Sequence, residues 1–166
     1  MAISMYQASV PVFQKMLKNL DGILDKGVAF AEGRKIEPQV LLTARLAPDM
    51  YHFTRQVQIA TDHAKGGPAR LAGLEPPKFE DNEASFGDLK ARVAKVQAFL
   101  TALKPAQIDG SEERKIVLKF GPREFEFVGL PYLTMFVLPN FYFHYTTAYA
   151  ILRHNGVDVG KRDFVG

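Results

Sequence analysis

The sequence predicts an all-α protein, an up-down four-helix bundle with a small β-hairpin before the last helix. Three observations predict this fold: long apolar stripes at steps of three and four residues, one short stretch in which apolar residues alternate, and a length that suits one core. The 166 residues are 47% hydrophobic, enough to bury the core of one helical-bundle domain spanning 1–166.

Composition excludes several classes of function. The chain has no Cys, which excludes disulfides, thiolate catalysis and cysteine-ligated zinc. Its 21 basic and 18 acidic residues are dispersed, so we expect no nucleic-acid partner. The amino terminus lacks a basic segment followed by an apolar run, so we expect no secretory signal and a cytoplasmic location.

The stretch 127–152 raises the question of a membrane span, because it carries no Asp, Glu, Lys or Arg and is long enough to cross a bilayer. It also contains two prolines, an Asn and a His. These residues favour a buried central helix surrounded by amphipathic ones, so we expect no membrane association.

The first half of the chain predicts three helices. Residues 3–31 carry one apolar stripe, in which Pro11 either kinks the helix or marks its true first turn. A short helix is expected from Pro38 to about Arg45, and a long one from near Pro48 to about Leu71. We expect the glycines and proline at 66–68 to weaken or bend its last turns.

The second half begins with the loop LEPPKFEDNEAS and the clearest helix, from Phe86 to Leu103. The period then changes to two, and the segments KIVLKF and EFEFV around GPR predict a hairpin at about 114–128. The last helix is expected from about Pro131 to Arg153, followed by an extended tail at about 156–166.

Polar residues on two predicted helices indicate a candidate site. Asn140 and His144 share one face of the last helix, because residues four apart stack on each other. An earlier helix carries the stripe His52, Gln56, Ile59 and His63. If the two faces meet, His52 and His144 are candidate ligands of one divalent metal, Zn or Ni, with Asn140 or Gln56 as an oxygen donor. The alternative is that no cofactor is bound.

Each candidate also has a purely structural explanation. His144 could be a buried imidazole hydrogen-bonded to a Tyr or Thr, and His52 a solvent-facing helix residue. Asn140 could bond to backbone groups freed by Pro139. For His63 we expect a solvated position.

Three blocks of sequence resemble a known superfamily: MYQASVPVF at the start, APDM with RQVQIATDHAKG in the middle, and PNFYFHYTTAYAILRHNGV with KRDF at the end. They are similar to the DinB and YfiT-like helical bundle superfamily, and within it to the domain of unknown function 1993 family. The resemblance implies a divalent metal held by one His of the second bundle helix and an H-x-x-x-H pair on the last, and it implies a homodimer. Characterised members include thiol-dependent transferases and isomerases.

The present chain departs from that pattern, because its pair reads Asn140-x-x-x-His144. His52 stands about where the resemblance places the lone histidine. Candidate pocket residues complete the prediction: Tyr6 and Gln7 from the opening block, and Gln56, Tyr145, Thr147 and Tyr149 from the two helices.

Two functions are compatible with these residues. One is a divalent-metal-dependent enzyme, or a derivative of one, that acts on a small molecule. The other is a non-catalytic ligand-binding or dimeric interaction module with a degenerate metal site.

Overall fold

Four long helices and one β-hairpin form the framework of the structure, a computed structural model that describes residues 2–166. In chain order the elements are α1 (Val10–Arg34), α2 (Pro38–Leu42), α3 (Phe53–Leu71), α4 (Phe86–Ala102), α5 (Pro105–Ile108), β1 (Lys115–Phe120), β2 (Arg123–Val128), α6 (Gly129–Pro131), a π-helical segment (Tyr132–Val137), α7 (Leu138–His154) and α8 (Lys161–Val165).

Helix α1 begins later than the apolar stripe suggested. It starts at Val10, with Pro11 in its first turn. A proline fits there because the first turn of a helix needs no backbone N–H donor. The residues before it form turns closed by the Ser9 hydroxyl, which donates to the Met5 carbonyl at 2.6 Å.

Helix α3 begins at Phe53, so the predicted start near Pro48 is wrong. His52 has extended backbone (ψ 166°), and its Nδ1 accepts the Arg55 N–H at 3.4 Å. The Phe53 N–H donates to the carbonyl of Ala44, which lies in the connection after α2, at 2.9 Å, and the apolar period does not reveal this bond. The helix ends at Leu71 as predicted and continues through Pro68.

The predicted hairpin is confirmed. Strands β1 and β2 pair antiparallel with Ile116 opposite Phe127 and Leu118 opposite Phe125. Ile116 and Leu118 are buried, so this face of the hairpin packs towards the core.

The last helical stretch is not a uniform α-helix. Before α7 the chain makes a π-helical turn over Tyr132–Val137. Wide turns of this kind shift the side chains that follow around the helix axis, and they are frequent at functional sites. Pro139 lies in the first turn of α7, where its missing N–H is tolerated.

The carboxyl-terminal tail was predicted to be extended, but it contains the short helix α8. The Asp163 carboxylate accepts the Gly160 N–H at 2.8 Å and closes its first turn. The Phe164 ring stacks on Tyr145 with centroids 4.5 Å apart, and this packing holds the helix against the bundle. A short segment stabilised by such long-range packing gives little periodic signal.

The helices share one hydrophobic core. Helix α3 packs mainly against α7 and also against α4, while α1 packs against α4 and α8. The predicted all-α bundle with a hairpin before its last helix is therefore confirmed. Within residues 2–166, no helix is both long enough and apolar enough to cross a membrane.

Candidate functional site

The interface between α3 and α7 brings three polar side chains together. Gln56 and His63 are seven residues apart on α3, which places them two turns apart on the same face. His144 lies opposite them on α7, and its Nδ1 is 2.7 Å from Gln56 Oε1. Its imidazole ring stacks on that of His63, with centroids 6.2 Å apart and an angle of 10° between the planes. We call these three residues the histidine cluster.

Gln56 determines which nitrogen of His144 carries the proton. The amide of Gln56 is buried, and its Nε2 donates to the Tyr51 carbonyl at 3.1 Å. A carbonyl oxygen only accepts, so this bond orients the amide and directs Oε1 towards His144. His144 must therefore donate from Nδ1, and in the neutral imidazole Nε2 keeps its lone pair.

Both imidazoles of the histidine cluster are neutral at pH 7. Burial and the adjacent His144 lower the pKa of His63 to about 4, although Asp62 opposes this shift. Burial and the positive charge of Arg55 lower the pKa of His144. The site consequently offers uncharged nitrogen acceptors in a partly desolvated setting.

Two aromatic side chains contact the histidine cluster. Phe136, from the π-helical segment, contacts the His63 ring edge-on at 5.6 Å, and Phe143 contacts the His144 ring at 5.2 Å. The expected solvated position of His63 is therefore wrong, because its ring is packed between Phe136 and His144. The sequence did contain a signal, since His63 lies on the stripe of Gln56.

The two other predicted metal ligands, His52 and Asn140, form hydrogen bonds with backbone groups. His52 caps α3, and its Nδ1 accepts a backbone N–H as described above. Asn140 donates from Nδ2 to the Phe136 carbonyl at 2.7 Å, a backbone acceptor four residues earlier on the same helical stretch. Among the described residues, neither side chain makes a hydrogen bond or ring contact with His144.

The predicted pocket residues make contacts in different parts of the structure. Gln56 belongs to the histidine cluster. Tyr145 and Tyr149 both pack against Phe164 of α8. The remaining ones make other bonds: Thr147 donates to the Phe143 carbonyl, Tyr6 N–H bonds to Asp109, and Gln7 is exposed and bonds to Ser4.

The donors around His144 do not fit a transition-metal site of the usual composition. Catalytic zinc sites take at least three His, Cys, Asp or Glu ligands. Within residues 2–166, no three side chains of these types are grouped so that they could hold a metal ion. A metal here would depend on amide oxygens, which are weaker donors than imidazole for Zn or Ni.

A second polar cluster on the opposite side of α3 was not found from the sequence. Arg92 on α4 is 2% exposed and binds Asp62, Asp81 and Glu83 at 2.6, 3.0 and 2.9 Å. Its Nε also donates to Thr61 Oγ1 at 2.7 Å. These bonds attach the acidic loop before α4 to α3.

A signal for this cluster was present in the sequence. Arg92 stands three residues after Leu89 and four before Val96, beside the apolar stripe of α4. A basic residue at such a position needs buried acidic partners, and the loop EDNE supplies them.

Comparison with known proteins agrees with this architecture. The family model described as Domain of unknown function (DUF1993) matches residues 5–165. The crystal structure of a DinB family member protein from Shewanella denitrificans is similar to this chain, with a TM-score of 0.91 and 44% sequence identity. The similarity covers 97% of this chain and 91% of that chain. A search of curated proteins gives no significant match. The chain therefore belongs to the domain of unknown function 1993 family and has the DinB-like fold.

Proposed function

We propose that this protein binds a small molecule at the histidine cluster without a metal, and that the ligand donates a hydrogen bond to Nε2 of His144. The observation that carries the proposal is the hydrogen bond from His144 Nδ1 to the buried Gln56 amide. When one ring nitrogen of a functional histidine bonds to a protein group, that bond fixes the tautomer and the orientation of the ring.

The electrostatics of the cluster favour a neutral O–H or N–H donor group on the part of the ligand that meets the imidazoles. Both imidazoles have lowered pKa values, so they accept hydrogen bonds near pH 7. Phe136 and Phe143 give the cluster apolar walls. A phenol or a comparable hydroxylated ring matches an acceptor between aromatic side chains.

The binding test compares two probes of nearly the same shape. We expect 4-fluorophenol to bind more tightly than 4-fluoroanisole in ¹⁹F NMR titrations at pH 7, by roughly fivefold, the value of one net hydrogen bond. The variant His144→Leu should bind both probes equally. The variant His154→Leu changes an exposed histidine at the end of α7 and should behave like the parent. Equal affinity of the parent for both probes would refute the proposal.

A metal titration separates this function from that of a metal-dependent enzyme. Calorimetry with ZnCl₂ and NiCl₂ should show no stoichiometric binding that depends on His144. One ion per chain, lost in His144→Ala, would replace this proposal with a metal centre at His144.

A further inference from the structure

An aromatic groove lies between the hairpin and the π-helical segment. It has a volume of about 430 Å³ and is lined by Pro122, Arg123, Phe125, Phe127 and Phe136. This volume lies within the range of small-molecule sites. The groove is distinct in composition from the histidine cluster, since four of its five lining residues are apolar.

Phe136 connects the groove to the histidine cluster. Its ring contacts Phe127 on the hairpin side at 5.0 Å, and it contacts His63 at 5.6 Å. Tyr132 supports both rings, with centroids 5.6 Å from Phe127 and 5.9 Å from Phe136. A molecule in the groove therefore shares one wall with the imidazole pair.

The hairpin separates its charges between its two faces. Arg123, Phe125 and Phe127 alternate along β2 and so lie on one face. On the other face, Glu124 and Glu126 pair with lysines of β1 at 2.7 Å in both cases. Among the described residues, Arg123 has no carboxylate partner, so its guanidinium is an unneutralised cation at the edge of an aromatic groove.

We propose that this groove binds a planar aromatic carboxylate, whose ring packs among the phenylalanines and whose carboxylate pairs with Arg123. Aromatic rings stack on aromatic walls with centroids about 4.5 to 7 Å apart. A guanidinium matches the two oxygens of a carboxylate in a bidentate pair. The inference rests on the proposed function. It assigns the groove to the aromatic ring and the carboxylate of the same ligand whose donor group reaches the histidine cluster past Phe136.

The test uses 2-naphthoate and its neutral analogue 2-naphthamide as probes, with affinities measured by calorimetry on the full chain at pH 7. We expect 2-naphthoate to bind roughly fivefold more tightly than 2-naphthamide, the order of one partly exposed ion pair. Arg123→Gln should remove this preference. Lys119→Gln makes the same charge change on the opposite face of the hairpin and should leave the preference intact. Both side chains are exposed, so neither substitution should prevent folding.

Two results would overturn the inference: equal affinity of the parent for the two probes, or the same loss of preference in Arg123→Gln and Lys119→Gln. Intermolecular NOEs should connect the naphthoate protons with Phe127 and Phe136, and NOEs to other residues only would also contradict it. The fluorophenol comparison at His144 is independent of Arg123. If the phenols bind equally while 2-naphthoate keeps its preference, the histidine cluster, rather than the groove, has been wrongly assigned.

Discussion

At the scale of single residues, the candidate site depends on one buried amide. Gln56 is bound on both sides, by the Tyr51 carbonyl and by His144. The Tyr51 carbonyl orients the Gln56 amide, and the amide in turn orients the imidazole of His144. Nε2 of His144 is therefore left as the acceptor. The chemical state of His144 is thus determined by a residue that is itself inaccessible to a ligand.

Replacing Gln56 by a carboxylate should change that state. In Gln56→Glu a negative charge lies next to Nδ1 of His144 and favours the imidazolium, so we expect the His144 pKa to rise by at least about one unit. Histidine ¹H–¹⁵N spectra between pH 4 and 9 measure it. Gln97→Glu makes the same change on α4, where the amide bonds to the Gln14 carbonyl, and should leave the His144 pKa unchanged. An unaltered pKa in Gln56→Glu would show that the two side chains do not interact.

His63 should make folding sensitive to mild acid. Its pKa falls from 6.5 to about 4 on folding, so between these values the unfolded chain binds more protons and stability is lost as the pH falls. The groups that face it are His144, Asp62, Arg70 and Lys65. The free energy of unfolding should decrease by up to about 3 kcal/mol from pH 6.5 to pH 4 on account of this group.

Urea unfolding at pH 7, 5.5 and 4.5 measures this dependence. His63→Gln should show a shallower decline than the parent, because Gln binds no proton. His154→Gln, at an exposed position, should decline like the parent. Identical pH profiles for the parent and His63→Gln would contradict the low pKa.

Periodicity placed Gln56 and His144 in one candidate site, but it did not predict their direct hydrogen bond or the stacking of His63 on His144. Gln56 and His63 were on the predicted polar stripe, and Gln56 was a candidate from the start. The pairing with His144 depends on the rotation of α7 after the π-helical turn. A helical wheel of uniform period does not contain that rotation.

At the scale of elements, the site requires α3 and the π-helical segment to approach closely. Gly67 permits this contact, because a Cβ at that position would lie 2.6 Å from Val137 Cγ1. The absence of a side chain at this position therefore allows the neighbouring segment to pack on α3. The same packing presents Phe136 to His63.

A methyl group at position 67 should be costly. We expect Gly67→Ala to lower the free energy of unfolding by about 1 to 3 kcal/mol through overpacking, and Val137→Ala to restore part of the loss in the double variant. Gly22→Ala is the matched control, since its Cβ would meet nothing within 4 Å. That substitution should stabilise α1 by about 0.5 to 1 kcal/mol. Equal gains in the two variants, measured by urea unfolding, would contradict the close approach.

The loop before α4 is held to the bundle by several bonds, among them Arg55 to Asp81 and Gln58 to Glu83, and by Arg92. Arg92 binds two of its carboxylates, Asp81 and Glu83, as well as Asp62 of α3. Arg92→Met removes the partner that the three carboxylates share, while Lys65, Arg55 and Gln58 still bind Asp62, Asp81 and Glu83 in turn. We therefore expect a loss of about 1 to 3 kcal/mol in urea unfolding. Trypsin should also cleave at Lys78 faster than in the parent.

An exposed lysine on the same helix gives the control for Arg92. Lys95→Met should change the free energy of unfolding by no more than about 0.5 kcal/mol. If Arg92→Met were as mild as this control, the ion pairs would not attach the loop. The sequence showed the acidic loop and the helix, but the bonds between them are contacts across the fold, which local patterns do not encode.

At the scale of the whole molecule, the fold was predictable because its main signals agree. Apolar stripes, proline positions and the change of period at the hairpin all indicate the same bundle. The start of α3 and the helix α8 were not predictable. Both depend on long-range contacts, the Phe53 N–H with Ala44 in the first case and Phe164 with Tyr145 in the second.

The homodimer expected from the sequence stays a prediction. Large apolar side chains are exposed next to the candidate site, among them Met135 at 78% and Phe143 at 58%. We expect light scattering to give a mass of twice the 18.5 kDa of the chain. Phe143→Ser should shift the equilibrium to monomer if this surface is the interface. A monomeric mass for the parent at working concentration would refute the dimer.

The measurement that most directly tests the central claim is a long-range ¹H–¹⁵N spectrum of the histidine side chains at pH 7, with and without 4-fluorophenol. We expect neutral rings, a proton on Nδ1 of His144, and a change at Nε2 of His144 when the phenol is added. A proton on Nε2 of His144, or no change at this nitrogen while the probe binds elsewhere, would contradict it.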